Sequence, residues 1–596
     1  MRKIVLFVCF TLVSMYAYCS HFENLPTTIT QPNGVVVNCF VTGDEYYSWL
    51  HDANNFTIVQ NSNTGYYCYA LLQNDELVPS IYIVGTVNPI SVGFVPGVNL
   101  PTEIIFQKVN EIKQMFLDSV DINGVTYNFS PLKSTQNLNN IVIYVRFADD
   151  SEFSPKQEFY ESFFNNPING NISVKNYFLE SSYGKLNVHS YFYPLNNGVD
   201  IISYQDTNLR SYYEPYSVQN PNGYLKSFYS GDKHYKYRME QLFSNVLDNI
   251  QNSISDDVIL DIDNDGYIDN VTFIIKGQGT PGNLLWPKWT AFSHMEFINK
   301  KIKGLKKGSF ILMTESETQF IGPLCHELYH NLGLFDLYQT KTESEIRPIG
   351  QWDIMANTTL IPQHTNSYCK NLLGWNNIPE ISNSGTYKIY SLASSQNSAY
   401  KIQLPNSYEF LIIEFRKKEG FYDNNLSNTG VLIYLVNSYN QKYGNTQGDG
   451  FKDNFMYLYR INGTIEQNGN LHEAQFGDIY GRSVFSKYSN PNSICFSQIS
   501  GGIGNIYIKN IKLFDTYATF DVRFCDADII QYTNTINTPE LLNASDKIIV
   551  QQNVIIQNGK SVTFEAGNEV VLQTGFQINQ GGLLEISMNG CEYKNQ

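Results

Sequence analysis

Residues 325–338 read CHELYHNLGLFDLY, placing two of the chain's nine histidines four positions apart with a glutamate between them. On a helix, positions i and i+4 share a face, so His326 and His330 would aim both imidazoles at one point. Two neutral imidazoles so placed can hold a zinc ion at about 2.0–2.1 Å. Glu327 sits beside the first ligand, where its carboxylate can take the proton of a water that the metal activates. Three residues beyond His330, Gly333 can adopt a positive φ, end the helix and reverse the chain. The reversal would return Asp336 to the metal as a third, oxygen ligand; His364, in PQHTNSY, competes for that place. Met355, in IGQWDIMA, suits a turn beneath the metal, a soft floor for the imidazoles rather than a ligand. Tyr338 and His294 fall in the same region and are candidates to steady an oxyanion or line the cleft.

Upstream, DIDNDGYID (261–269) spaces Asp261, Asp263, Asp265 and Asp269 along one short loop, with Gly266 at the bend. This matches the first nine positions of a calcium loop, with the Tyr267 carbonyl as a further oxygen. The twelfth position is Thr272 rather than a bidentate glutamate. The expectation is therefore a structural Ca²⁺ site that staples the loop ahead of the apolar run NVTFIIKG.

The whole chain sets the frame for these motifs. At 596 residues it exceeds one core. A net charge of −16 leaves no basic stripe for a nucleic-acid partner. Residues 1–20, MRKIVLFVCFTLVSMYAYCS, run from a basic start through an apolar stretch to small residues, the pattern of a secretory signal. No later stretch is long and apolar enough to span a bilayer. Seven cysteines lie beyond residue 20, none in a CxxC pair. Export permits disulfides, and Cys39–Cys68 and Cys325–Cys369 are the pairings expected within segments.

Residues 21–125 alternate short apolar segments with NG, GD and NTG turns, a small β-rich unit. Residues 126–380 mix buried-strand runs (NNIVIYVRF, NVTFIIKG) with helical periodicity in HYKYRMEQLFSNVLDNIQNSI. WPKWTAF (286–292) reads as core aromatics. From 381 to 527 strands dominate (GTYKIYSL, FLIIEFRK, GVLIYLV, DNFMYLYRI, YATFDVRF), with the spacing of a β-sandwich. Residues 540–591 repeat short rungs punctuated by NG, AG, TG and GG, the pattern of a small β-solenoid-like module. The fold class expected is α+β.

Several separated passages resemble the immune inhibitor A-like zinc metallopeptidases. They are SVKNYFLESSYGKLNV, DIDNDGYIDNVTFIIKG, GPLCHELYHNLGLFDLY, IGQWDIMA and NSYCKNLLGW, in the family's order, followed by EFLIIEFRKKEGFYDNNLSNTGVLIYLVN. TQPNGVVVNCFVTGDEYYSWLHDANNFTIV is similar to the family's propeptide, and the likeness runs from about residue 30 to 440. It implies a zincin-like catalytic domain over 126–380, a propeptide over 21–125, zinc on His326 and His330, and Glu327 as general base. One departure stands out: Leu435 and Asn437 occupy the strand where the family often carries His and Asp. The tail resembles a β-repeat module of secreted proteins from Bacteroidetes-type bacteria; carrying no catalytic residue pattern, it reads as a passive appendage or a module for attachment to the cell surface.

No GxSxG elbow or glycine-rich phosphate loop occurs, so neither a serine hydrolase nor a nucleotide enzyme has a motif behind it. The function expected is a secreted zinc metalloendopeptidase acting on proteins or peptides and made as a zymogen. The alternative from another class is a surface adhesion or glycan-binding protein with a structural metal site. A metal-dependent amidase acting on cell-wall peptide is a third reading.

Overall fold

The computed structural model describes residues 22–588 apart from internal stretches, the longest being 106–119, 128–136, 225–232, 446–453 and 492–505. The expected signal at 1–20, together with His294, Cys495 and Cys591, lies outside the described residues. The chain is mixed α/β with strands dominating. Among the described residues no helix is long and apolar enough to cross a membrane.

A mostly parallel sheet organises the central region. Five of its six strands are β1 (Asn137–Arg146), β2 (Asn187–Tyr193), β3 (Val271–Ile275), β4 (Lys288–Ala291) and β5 (Ser309–Thr314), in the spatial order β2-β1-β3-β5-β4, and a short sixth, Tyr204–Gln205, pairs parallel with β1. All neighbours run parallel except β4, which pairs antiparallel with β5 at the edge. The apolar runs seen in the sequence are strands buried on both faces, as expected where helices cover a parallel sheet. Ile141, Ile143 and Val145 of β1 face one core, and Leu138, Val142 and Tyr144 face another.

Helix α1 (Val174–Ser181) and helix α3 (Ile321–Asn331) lie against the second core; α2 (Lys233–Ile250) lies against the first. Helix α2 buries Met239, Leu242, Phe243, Val246, Leu247 and Ile250, a stripe at helical spacing. Phe243 stacks on Phe273 of β3 with ring centroids 4.1 Å apart, a contact worth about 0.5–1.5 kcal/mol beyond its buried area. A short helix, α4 (Ser367–Leu372), begins at Asn366, whose side chain accepts from the Tyr368 and Cys369 N–H groups.

The N-terminal unit is a six-stranded antiparallel meander over residues 22–83, with its strands paired in sequence order. Its core takes in Trp286 from the segment just before β4, and Gln60 Nε2 donates to the Tyr216 carbonyl at 2.8 Å. The β-rich region from 381 holds a three-stranded and a four-stranded sheet around one core.

The expected boundary at 380 divides the chain but not the core. In the strand Glu409–Arg416, Leu411, Ile413 and Phe415 face the core between these two sheets, whereas Phe410 and Ile412 join the core that holds helix α3. Residues 430–437 repeat the division, with Leu432, Tyr434 and Val436 on the inner side and Leu435 in the core between the two sheets. That sheet is therefore covered on both faces.

The tail is a parallel stack. Glu540 pairs with Val562 and Val562 with Leu584, 22 residues further on each time. It starts earlier than the expected residue 540, because Ala527–Tyr532 already pairs parallel with Glu540–Val550.

The expected disulfides are absent. Cys39 and Cys68 sit on the second and fifth strands of the meander, and Cys68 is a thiol that burial makes harder to ionise. Cys325 and Cys369 are both free, buried thiols on α3 and α4. Among the described residues, Cys525 is disulfide-bonded. Nearness along a segment is a poor guide to bridging, which needs Cα atoms within about 7 Å.

Candidate metal centre

Every residue of α3 from Ile321 to Asn331 is buried, so its polar side chains must find partners inside the protein. Ile321, Leu324, Cys325, Leu328 and Tyr329 pack into the core, and the Tyr329 hydroxyl pairs with Ser181 Oγ at 2.8 Å. The opposite face carries His326, Glu327 and His330. Gly333, at φ 91°, ends the helix: its N–H bonds the His330 carbonyl and the Leu334 N–H bonds the Tyr329 carbonyl. This paired closure is the Schellman arrangement, and only glycine adopts its left-handed position without strain.

The turn brings three acceptors together. His326 Nε2 lies 3.1 Å from Asp336 Oδ1, His330 Nε2 lies 3.3 Å from the same oxygen, and the two Nε2 atoms are 3.2 Å apart. The other nitrogen of each ring is committed: His326 Nδ1 donates to the Ile354 carbonyl at 3.0 Å and His330 Nδ1 to the Leu334 carbonyl at 2.9 Å. Both rings therefore turn an Nε2 lone pair toward the carboxylate. Neither Asp336 oxygen has a hydrogen-bond donor, and the residue is fully buried. Burial opposes its charge; only with protons on the His330 and His326 rings would its carboxyl be held well below the usual carboxylate range.

This donor set fits zinc. Ligands at about 2.0–2.1 Å on a tetrahedron are separated by about 3.3 Å, close to the three spacings found. Three converging acceptors without a proton donor among them repel one another, and a cation would relieve that repulsion. His326, His330 and Asp336 are the residues that would hold it.

His364 does not join them. Its Nε2 pairs with Glu180 Oε1 at 3.1 Å, and its ring packs against Tyr177 with centroids 5.5 Å apart. Met355 is buried in the same core, and its turn reaches both sides of the site: the Leu337 N–H bonds the Met355 carbonyl at 2.8 Å, beside the Ile354 carbonyl that orients His326. Asp353 locks this turn to α4 by accepting from the Met355 and Asn366 N–H groups and the Thr365 hydroxyl. Tyr338 is buried next to Leu337.

Two contributors escape a sequence reading. Trp289 is core, as its aromatic surroundings predict, yet its backbone N–H donates to Glu327 Oε2 at 2.8 Å and its ring lies 5.6 Å from that of His330. Asn331, directly after His330, accepts from the Trp289 indole N–H. An asparagine behind the second histidine is the one visible signal, and spacing alone gives it no role.

In the acidic loop, Asp261, Asp263 and Asp265 gather within metal-sharing distance. Asp269 stands outside that group; its carboxylate accepts the Ile262 N–H at 3.0 Å and closes the loop. Asp261 accepts from the Asp265 and Gly266 N–H groups, and the Tyr267 N–H is held by Asp265 Oδ1. Burial first, then the neighbouring carboxylates, push the Asp265 carboxyl up to about 6 and that of Asp269 up to about 7. Packed this way the loop carries unfavourable negative charge that a cation would relieve.

Compared with models of known families and with curated proteins, the chain matches none.

Proposed function

We propose that the chain is an exported zinc metalloendopeptidase that hydrolyses peptide bonds in proteins, built on a zincin-like catalytic region and made as a zymogen. One observation carries the reading: His326 Nε2, His330 Nε2 and Asp336 Oδ1 meet within 3.1–3.3 Å, while the second nitrogen of each ring is spent on a backbone carbonyl. A metal site serving only structure has no use for a carboxylate beside its first ligand, and Glu327 supplies one.

When bound, zinc would provide Lewis acidity and lower the pKa of its water toward about 7. Glu327 would accept a proton from the attacking water and pass it to the leaving amine nitrogen. The Trp289 N–H fixes one oxygen of that carboxylate, so its direction does not depend on substrate. Asp261, Asp263 and Asp265 would take a structural Ca²⁺ that staples the loop ahead of β3. Docking of the N-terminal meander on Trp286 supports its reading as a propeptide. The C-terminal stack, with its 22-residue repeat, carries no cluster of this chemistry among the described residues, and we assign it to surface attachment.

The processed protein should digest casein or gelatin, lose activity on chelation and regain it with Zn²⁺. Glu327→Gln should retain zinc by elemental analysis and lose at least about 100-fold in kcat. Full activity in that variant, or protein that stays metal-free after zinc loading, refutes the assignment.

A further inference from the structure

We propose that Asn331 is a positioning residue for this chemistry, acting through Trp289 to fix where strand β4 presents its backbone to Glu327. The inference rests on the metallopeptidase reading.

Asn331 Oδ1 accepts from the Trp289 indole N–H and from Ser309 Oγ at 2.7 Å, and its Nδ2 donates to Asn270 Oδ1. Asn270 Nδ2 donates to Asn140 Oδ1 at 2.8 Å, the same oxygen accepts from Thr272 Oγ1 at 2.9 Å, and Asn140 Nδ2 donates to Ser190 Oγ at 3.2 Å. Taken in order, Ser190, Asn140, Thr272, Ser309 and Trp289 belong to β2, β1, β3, β5 and β4, which is the spatial order of the sheet. A buried ladder of amides and hydroxyls thus crosses these five strands and meets helix α3 at Asn331.

Burying so many polar groups is costly unless each is matched, and matched networks fix geometry more sharply than apolar contacts do. The outer end of this one is the edge strand. β4 is only Lys288–Ala291 and pairs on one side alone, so its lateral position needs another restraint. The indole bond to Asn331 supplies that restraint from the helix that also carries Glu327. The strand's Trp289 N–H then holds Glu327 Oε2 at 2.8 Å. Asn331 touches neither metal nor substrate in this scheme; it sets the carboxylate through the strand. An error of about 1 Å in a catalytic group can cost about 100-fold in rate.

The experiment is a double-mutant cycle on the processed protein. Trp289→Phe removes the indole N–H but keeps a ring and the backbone donor, and Asn331→Ala removes the other partner. Each should lower kcat ten- to hundredfold, leave KM within twofold and retain stoichiometric zinc. The double variant should be no slower than the slower single, because both break one link. Multiplying effects, or full kcat in Trp289→Phe, would overturn the proposal, and the latter decides even if Asn331→Ala fails to fold.

A second readout needs no activity. In protein labelled with ¹⁵N-tryptophan, the indole signal missing from Trp289→Phe should exchange slowly in the parent and rapidly in Asn331→Ala; unchanged protection would overturn the link. Should the parent show no chelator-sensitive hydrolysis, the metallopeptidase reading falls, while indole exchange still reports whether Asn331 holds Trp289.

Discussion

His326 Nε2 and Asp336 Oδ1 stand 3.1 Å apart across a chain reversal whose pivot, Gly333, has φ 91°. An alanine at that pivot would carry strain of about 1–2 kcal/mol. Protein without metal can relieve it by letting the turn open and Asp336 withdraw; metal-loaded protein cannot. Gly333→Ala should therefore weaken zinc binding by about tenfold, since each 1.4 kcal/mol is a factor of ten. Chelator competition measures it, and unchanged affinity would mean that the turn does not place Asp336.

The third-ligand question has its own pair of variants. Asp336→Asn keeps the shape and removes the charge, and zinc affinity should fall by about 100-fold or more. His364→Ala should leave zinc bound, because the ring is engaged with Glu180 and packed on Tyr177. Its cost falls on the fold instead, about 2–4 kcal/mol for the cavity and the lost bond. If His364→Ala loses zinc while Asp336→Asn holds it, the assignment is reversed.

The acidic loop makes stability depend on pH and calcium together. Carboxyls whose pKa values are raised in the fold, about 6 for Asp265 and about 7 for Asp269, bind protons more tightly folded than unfolded. Cation-free protein thus loses stability from these groups as pH climbs from about 4 through about 7. A bound Ca²⁺ would remove the penalty. The gap in Tm between protein with millimolar Ca²⁺ and protein with chelator should widen from pH 5 to pH 8. An equal gap at both, or none, argues against a stapled loop.

Much of this architecture is legible before any coordinates. NNIVIYVRF and NVTFIIKG read as doubly buried strands because neither face is polar, and both are central in the sheet. The stripe in Lys233–Ile250 and the HExxH spacing are equally plain. Other features escape for identifiable reasons. EFLIIEFR announces burial on both faces but not by what, so a sheet shared between two cores looks like one half of a separate sandwich. Asn140, Asn270 and Asn331 have the side chain favoured in turns, and only pairing across strands reveals a ladder. Disulfide guesses fail because partners are chosen by space rather than by segment.

The N-terminal meander offers the last test. Trp286 is 9% exposed and sits among Ile29, Val41 and Ile58 of that unit, two residues before β4 begins. The meander thus grips the chain next to the strand that holds Glu327. Truncating a buried anchor of this kind costs about 2–4 kcal/mol, enough to raise an undocked form about tenfold or more. In the intact chain, Trp286→Ala should raise basal cleavage of a small fluorogenic peptide by about tenfold. In protein lacking residues 21–125, where the meander is gone, the same substitution should change the rate less than threefold. Equal changes in the two forms would assign Trp286 to the site's own support rather than to a restraining contact.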